Sequence, residues 1–92
     1  MKTPVSLEIE KLLIEKDIDM PVSPTIAEVV MWLYEKHGIW TVVNVNIMGS
    51  WYFEHFDLKE KRNAQFKPTD THYNSPTEAY SQAIEYTLKN LI

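Results

Sequence analysis

Ninety-two residues supply one domain with one modest core, burying roughly 60–65% of the unfolded surface by size scaling. Apolar residues at 45% beside 24% charged, with two glycines and five prolines, exclude wholesale disorder and collagen-like or low-complexity chains. The absence of cysteine excludes disulfides, thiol nucleophiles and thiolate metal sites, and a net charge of −4 has the wrong sign for a protein that binds chiefly by neutralising phosphates.

The first element is a helix over about 6–17, with Ser6 as N-cap and Glu8 and Glu10 in the first turns, where the helix dipole favours carboxylates. Val5, Ile9, Leu12 and Leu13 gather on one side at 100° per residue, while Leu7, Ile14 and Ile18 gather on the other. Two apolar stripes call for two neighbours. Pro21 then biases its predecessor away from helix, which makes the stretch from Asp17 to Val22 a connection.

A second helix is expected over about 24–37. Ser23 supplies the N-cap hydroxyl and Pro24 the first helical position, where a missing N–H costs nothing. Ile26, Val29, Val30 and Leu33 form its core stripe, Met31 and Trp32 lie off it, and only Glu28 and Glu35 mark a wet line, which predicts that this helix is central and most buried. Gly38, after Lys36 and His37, supplies the stop.

From Ile39 the period changes to two, and a strand is expected over 39–47, followed by a turn at Met48-Gly49-Ser50 and a second strand over 51–58. The register decides the faces. A two-residue turn leaves Trp40, Val42, Trp51 and Phe53 together on the face opposite Val43 and Val45. A three-residue turn joins Trp51 and Phe53 to the Val43/Val45 face and leaves Trp40, Val42, Tyr52 and Phe56 opposite. A weaker third strand over about 64–73, broken by Pro68, suits a sheet edge. The last helix, over about 76–91, opens with Ser75-Pro76-Thr77-Glu78, a capping box in which Ser75 is the N-cap and Glu78 reaches back from the third helical position. Its stripe is Tyr80, Ala83, Ile84, Thr87, Leu88 and Leu91.

Two segments carry a resemblance beyond their periodicity. They are Pro24-Thr25-Ile26-Ala27-Glu28-Val29-Val30-Met31-Trp32-Leu33-Tyr34-Glu35-Lys36-His37-Gly38-Ile39-Trp40, and Ser75-Pro76-Thr77-Glu78-Ala79-Tyr80 followed by Ala83 to Ile92. With Leu12-Leu13-Ile14-Glu15-Lys16, they resemble a group of short uncharacterised proteins carried by phages and prophages of gut bacteria. The group's usual glycine after the lysine is here Asp17. The resemblance covers about two-thirds of the chain. It implies a mobile-element origin and no particular activity, ligand or catalytic residue.

Candidates for chemistry are sparse. His55 and Asp57 point to one face of a strand, as a base and its orienter would, with no nucleophile elbow or oxyanion loop beside them. His37, His55 and His72 lack the spacing of metal ligands. A cation at His37 suits a helix C-terminus. Gly38 and Gly49 alone cannot build a phosphate-binding glycine loop. The one basic concentration is Lys59, Lys61, Arg62 and Lys67, beside aromatics able to stack on single-stranded bases. The helix and strand order from the second helix onward also matches double-stranded-RNA-binding domains, but the last helix opens with Glu78 where those domains place lysines.

Aromatic surplus is the more informative feature, with eleven Phe, Trp and Tyr in the chain. A sheet covered on one face should show water its polar side, yet Trp40, Val42, Trp51, Tyr52, Phe53 and Phe56 leave large apolar groups there in either register. The first helix could cover them through its second stripe, a homodimer could bury them, or a host or phage protein could dock on them. The expected architecture is one α+β domain of order α-α-β-β-β-α, a three-stranded antiparallel meander with helices packed on it. The expected role is a non-enzymatic protein-interaction or self-associating module, with a nucleic-acid-associated protein using the 59–67 loop as the alternative. No cofactor and no metal are expected. No apolar run reaches the roughly 20 residues of a membrane span, and Met1-Lys2-Thr3-Pro4 begins no signal peptide, so a cytoplasmic location is expected.

Overall fold

The computed structural model describes residues 3–20, 24–59, 62–63 and 73–92. They form an α+β fold of three helices and an antiparallel hairpin.

Ser6 Oγ accepts from the Ile9 amide at 3.3 Å and opens α1 (Leu7–Glu15) as expected. The helix closes in a Schellman arrangement. Asp17 takes φ +56°, its amide donates to the Ile14 carbonyl, and the Ile18 amide donates to the Leu13 carbonyl, both at 3.0 Å. This return folds Ile18 onto the core. The rest of the second stripe stays in solvent, with Leu7 and Ile14 at 76% and 77% exposure. Among the described residues α1 packs on the last helical segment and not on the sheet, so it does not cover the aromatic face.

The second helix starts later than expected, as α2 (Ile26–His37). Thr25, not Ser23, is the N-cap, because Thr25 and Glu28 satisfy each other's amides at 3.2 and 2.9 Å in a full capping box. Pro24 is thereby left outside the helix, and its carbonyl accepts from the Val5 amide while the Ile26 amide donates to the Thr3 carbonyl. The chain before α1 is in this way tied to the entrance of α2. Ile26, Val29, Val30 and Leu33 are buried as expected, and Gly38 ends the helix at φ +67°. Only glycine suits that position, since a Cβ there would also meet Lys59 Cγ at 2.9 Å.

Strands β1 (Ile39–Val45) and β2 (Trp51–Asp57) pair with Val45 opposite Trp51 and Val43 opposite Phe53, the register of the three-residue loop. Asn46 Oδ1 accepts from the Met48 and Ser50 amides at 2.9 and 3.1 Å, and Gly49 takes φ +84°. A turn followed by a left-handed glycine is the common three-residue hairpin solution. Ile39, Thr41, Phe53 and His55 consequently face the helices and are buried. The third strand expected over 64–73 lies outside the described residues except for Tyr73. Tyr73 bridges Trp51, and a two-residue β3 (Arg62–Asn63) pairs with the end of β2.

Ser75 caps α3 (Pro76–Tyr86) through the Glu78 amide at 3.1 Å, with Pro76 in the first turn. The reciprocal arm of the capping box reaches one residue further, since Glu78 Oε2 accepts from the Asn74 amide at 3.3 Å. At Thr87 the helix widens into a π-helical turn (Thr87–Leu91). There the Thr87 hydroxyl donates back to the Ala83 carbonyl at 2.9 Å, a bond that competes with the regular helical ladder. This last helix, not α2, is the central one, for it touches α1, α2, β1 and β2. Ile84 and Leu88 join Val5, Ile9, Leu13 and the α2 stripe in one cluster, while Ala79, Ala83 and Thr87 are buried and let the sheet approach closely.

The cap of α1 carries a prediction. A non-glycine residue in the left-handed region is strained, so Asp17→Gly should raise unfolding free energy by about 0.5–1 kcal/mol. Urea unfolding of both proteins measures this, and an unchanged or lowered midpoint contradicts the assignment.

Candidate functional site

The six aromatic and aliphatic candidates do not share one surface. Odd-numbered positions of the hairpin face the helices, so Phe53 is core, at 3% exposure, and Trp51 shares its face. Both leave the interaction surface expected for them, because the loop of three residues exchanges the faces that a loop of two would give. Phe53 stacks with Tyr73 at 6.0 Å and meets His55 edge-on at 5.3 Å, while His55 in turn stacks with Tyr86 at 6.1 Å. These contacts tie the sheet to the last helix.

The outer face holds Trp40, Val42, Tyr52 and Phe56. Cross-strand pairing sets Trp40 opposite Phe56 and Val42 opposite Glu54, with Asn44 opposite Tyr52, so polar groups interrupt the apolar ones without replacing them. Trp40 is 37% exposed, and Tyr34 meets its ring edge-on at 5.5 Å from the end of α2. Val42, Tyr52 and Phe56 are half-buried. The last helix packs on the opposite face, where Thr87 meets His55, and α2 reaches the outer face at its edge through Tyr34 against Trp40. The hairpin tip adds Ile47 and Met48, both exposed. The period-two pattern flagged the face, but nothing in it singled out the tip.

The basic cluster is only partly placed. Lys59 is exposed, and its amide donates to Asp57 Oδ1 at 3.1 Å in the turn after β2. Arg62 lies in β3 opposite Asp57, and Lys61 and Lys67 fall outside the described residues.

His55 is closed to solvent, at 2% exposure, and is bound to Thr87, with 2.7 Å between Nε2 and Oγ1. With the single Thr87 hydroxyl proton directed to the Ala83 carbonyl, Oγ1 is left to accept from Nε2–H, a bond open both to the neutral ring protonated at Nε2 and to the imidazolium. Burial pushes its pKa from 6.5 down to about 4, against a smaller upward pull from the Ala83 carbonyl. Asp57, its expected orienter, accepts the Lys59 turn amide. His37 is shifted away from the cation expected at a helix end. Desolvation, and then the nearby Lys59, hold its pKa below the ordinary value, and Trp32 meets its ring at 5.0 Å. A shallow hollow of about 280 Å³ opens beside it, lined by Lys16, Ile18, Trp32, His37 and Ile92. The C-terminal ends of α1 and α2 converge there, and their carbonyls disfavour an anion. No group of three metal-ligating side chains occurs among the described residues.

The buried imidazole makes stability depend on pH. A folded pKa below the unfolded value means the unfolded chain binds more protons between pH 6.5 and 4. The contribution is therefore complete above pH 6.5 and falls by about 3 kcal/mol as pH drops to 4. In His55→Gln, whose amide can still donate to Thr87, the unfolding free energy should change less over that interval than in wild type. Equal slopes in urea titrations would show that His55 carries no such linkage.

Comparison with known proteins finds no matching protein family, no similar curated protein and no similar solved structure.

Proposed function

We propose that this chain is a small non-enzymatic interaction module of phage or prophage origin, which acts by binding protein through the outer face of its hairpin. The observation that carries the reading is the set Trp40, Val42, Tyr52 and Phe56 on the sheet face opposite the one that docks on the last helix. Large aromatics that keep part of their surface in water are the residues that anchor protein interfaces. The inward His55 supports a non-enzymatic role, because the base with the most suggestive neighbour is closed to substrate. The phage reading rests on the sequence resemblance, and Asp17 adds to it. Its left-handed backbone falls where that group usually carries glycine, the residue this conformation favours. No described helix is long and apolar enough to cross a membrane, in keeping with a partner met in solution. A cytoplasmic location belongs to the same proposal.

The nucleic-acid alternative draws on Lys59, Lys61, Arg62 and Lys67 and has less behind it, given a net charge of −4.

Val42→Lys and Tyr52→Lys place charge on the outer face and should leave the helical circular dichroism intact. In quantitative capture from infected and uninfected host lysates, a partner held by wild type should be retained at least roughly tenfold less by either variant, the usual scale of a central anchor. Equal retention by all three proteins would remove the outer face from the interaction. The double variant Lys61→Glu/Arg62→Glu should bind that partner as wild type does. A wild-type affinity for single-stranded oligonucleotide that collapses in this variant, with a shallower salt slope, would favour the alternative.

A further inference from the structure

The order β1-β2-β3 leaves β1 at one edge of the sheet. Along an antiparallel pair, alternate residues turn their backbone groups to the neighbour or away from it. The Asn46 amide donates to the Ser50 carbonyl and the Leu58 amide to the Gly38 carbonyl, so the even-numbered residues of β1 are the ones that bond to β2. The N–H and C=O groups of Thr41, Val43 and Val45 therefore point off the sheet, and no backbone hydrogen bond reaches them among the described residues.

Soluble proteins ordinarily guard such an edge with lysine, proline, a bulge or a very short strand. This one has none of them. Its seven residues, Ile-Trp-Thr-Val-Val-Asn-Val, carry no charge, contain no proline and pair with β2 without a break in register. At its far end Val45 is 48% exposed and Ile47 is 102% exposed.

We propose that β1 is a self-association edge that pairs antiparallel with β1 of a second copy of this chain. The inference goes beyond the outer-face reading, since it adds a second surface, the strand edge, and commits its occupant to a second copy of this chain. A second copy fits because an uncharged strand meets itself without like-charge repulsion, which would penalise most edges in the same arrangement. Centred on Val43, the pairing sets Thr41 against Val45 of the second copy and adds up to about six backbone hydrogen bonds. Ile47 then lies alongside Ile39 of the second copy, which removes the most exposed large apolar side chain from water. Residues directly opposite share a face, so the helices of both copies stay on one side. The outer aromatic faces merge into one continuous surface across the two-fold axis.

Light scattering over a concentration series tests this on wild type, Val45→Pro and Tyr52→Ser. The expected result is a wild-type species of twice 10.8 kDa, kept by Tyr52→Ser and weakened roughly tenfold or more in dissociation constant by Val45→Pro, which removes an edge donor from each copy. Amide exchange on wild type gives a readout that does not depend on the variant folding. The Thr41, Val43 and Val45 amides should become protected as concentration rises. Exchange of these amides at unprotected rates at every concentration would overturn the edge pairing. So would a dimer lost in Tyr52→Ser and kept in folded Val45→Pro, although that result would uphold the outer face as a binding surface. A wild-type monomer throughout would also overturn the edge pairing and leave the interaction-module reading to stand or fall on partner capture.

Discussion

The close contact of the last helix with the sheet is the constraint on which the other elements depend. A helix whose one side carries Ile84 and Leu88 and whose other side carries Ala79, Ala83 and Thr87, all buried, must be enclosed from both directions. The apolar side draws α1 and α2 into a single cluster. The small side lets the hairpin come near enough for His55 to reach Thr87 at 2.7 Å. One buried hydrogen bond thus fixes the rotation of the helix over the strands, and leaving either partner unsatisfied there would cost about 1–3 kcal/mol. The Thr87 hydroxyl also engages the Ala83 carbonyl where the helix opens into its π turn, so the same residue that docks the sheet marks the change of helical pitch.

That arrangement spends the last helix on one face of the sheet. With α1 directed to that helix and not to the sheet, the described helices meet the face carrying Trp40, Val42, Tyr52 and Phe56 at its edge, through Tyr34. The functional proposals follow from this allocation. An apolar sheet face and an unguarded edge adjoin along β1, whose even-numbered side chains line the face and whose odd-numbered backbone groups form the edge. Two copies joined at the edge would present a broad aromatic surface that neither has alone. The Tyr34–Trp40 contact wraps the start of β1, which leaves its middle and far end as the open part.

Much of the fold was legible because local rules and global packing agree. Ser6 and Ser75 act as caps, the α2 stripe is buried, and Gly38 ends its helix. The errors fall where two local signals competed. Ser23-Pro24 and Thr25 to Glu28 both offered a start for α2, and the reciprocal capping box prevailed because it satisfies two amides while freeing the Pro24 carbonyl for Val5. The second stripe of α1 was misread because Ile18 belongs to a C-terminal return and not to the helix. Of the candidate site, the alternation of aromatics was visible but its division between faces was not, since one residue of loop length exchanges the faces.

By itself the sequence determined the α+β class, the caps at Ser6, Gly38 and Ser75, the core stripe of α2 and the absence of thiol chemistry, because these depend on side-chain type and on spacing within one element. The tertiary structure decided the hairpin register, the centrality of the last helix, the burial of Phe53 and His55, and the side on which α1 packs. Those outcomes rest on contacts between residues distant in the chain, such as His55 with Thr87. No local periodicity encodes such a contact, because its energy exists only once both elements are in place.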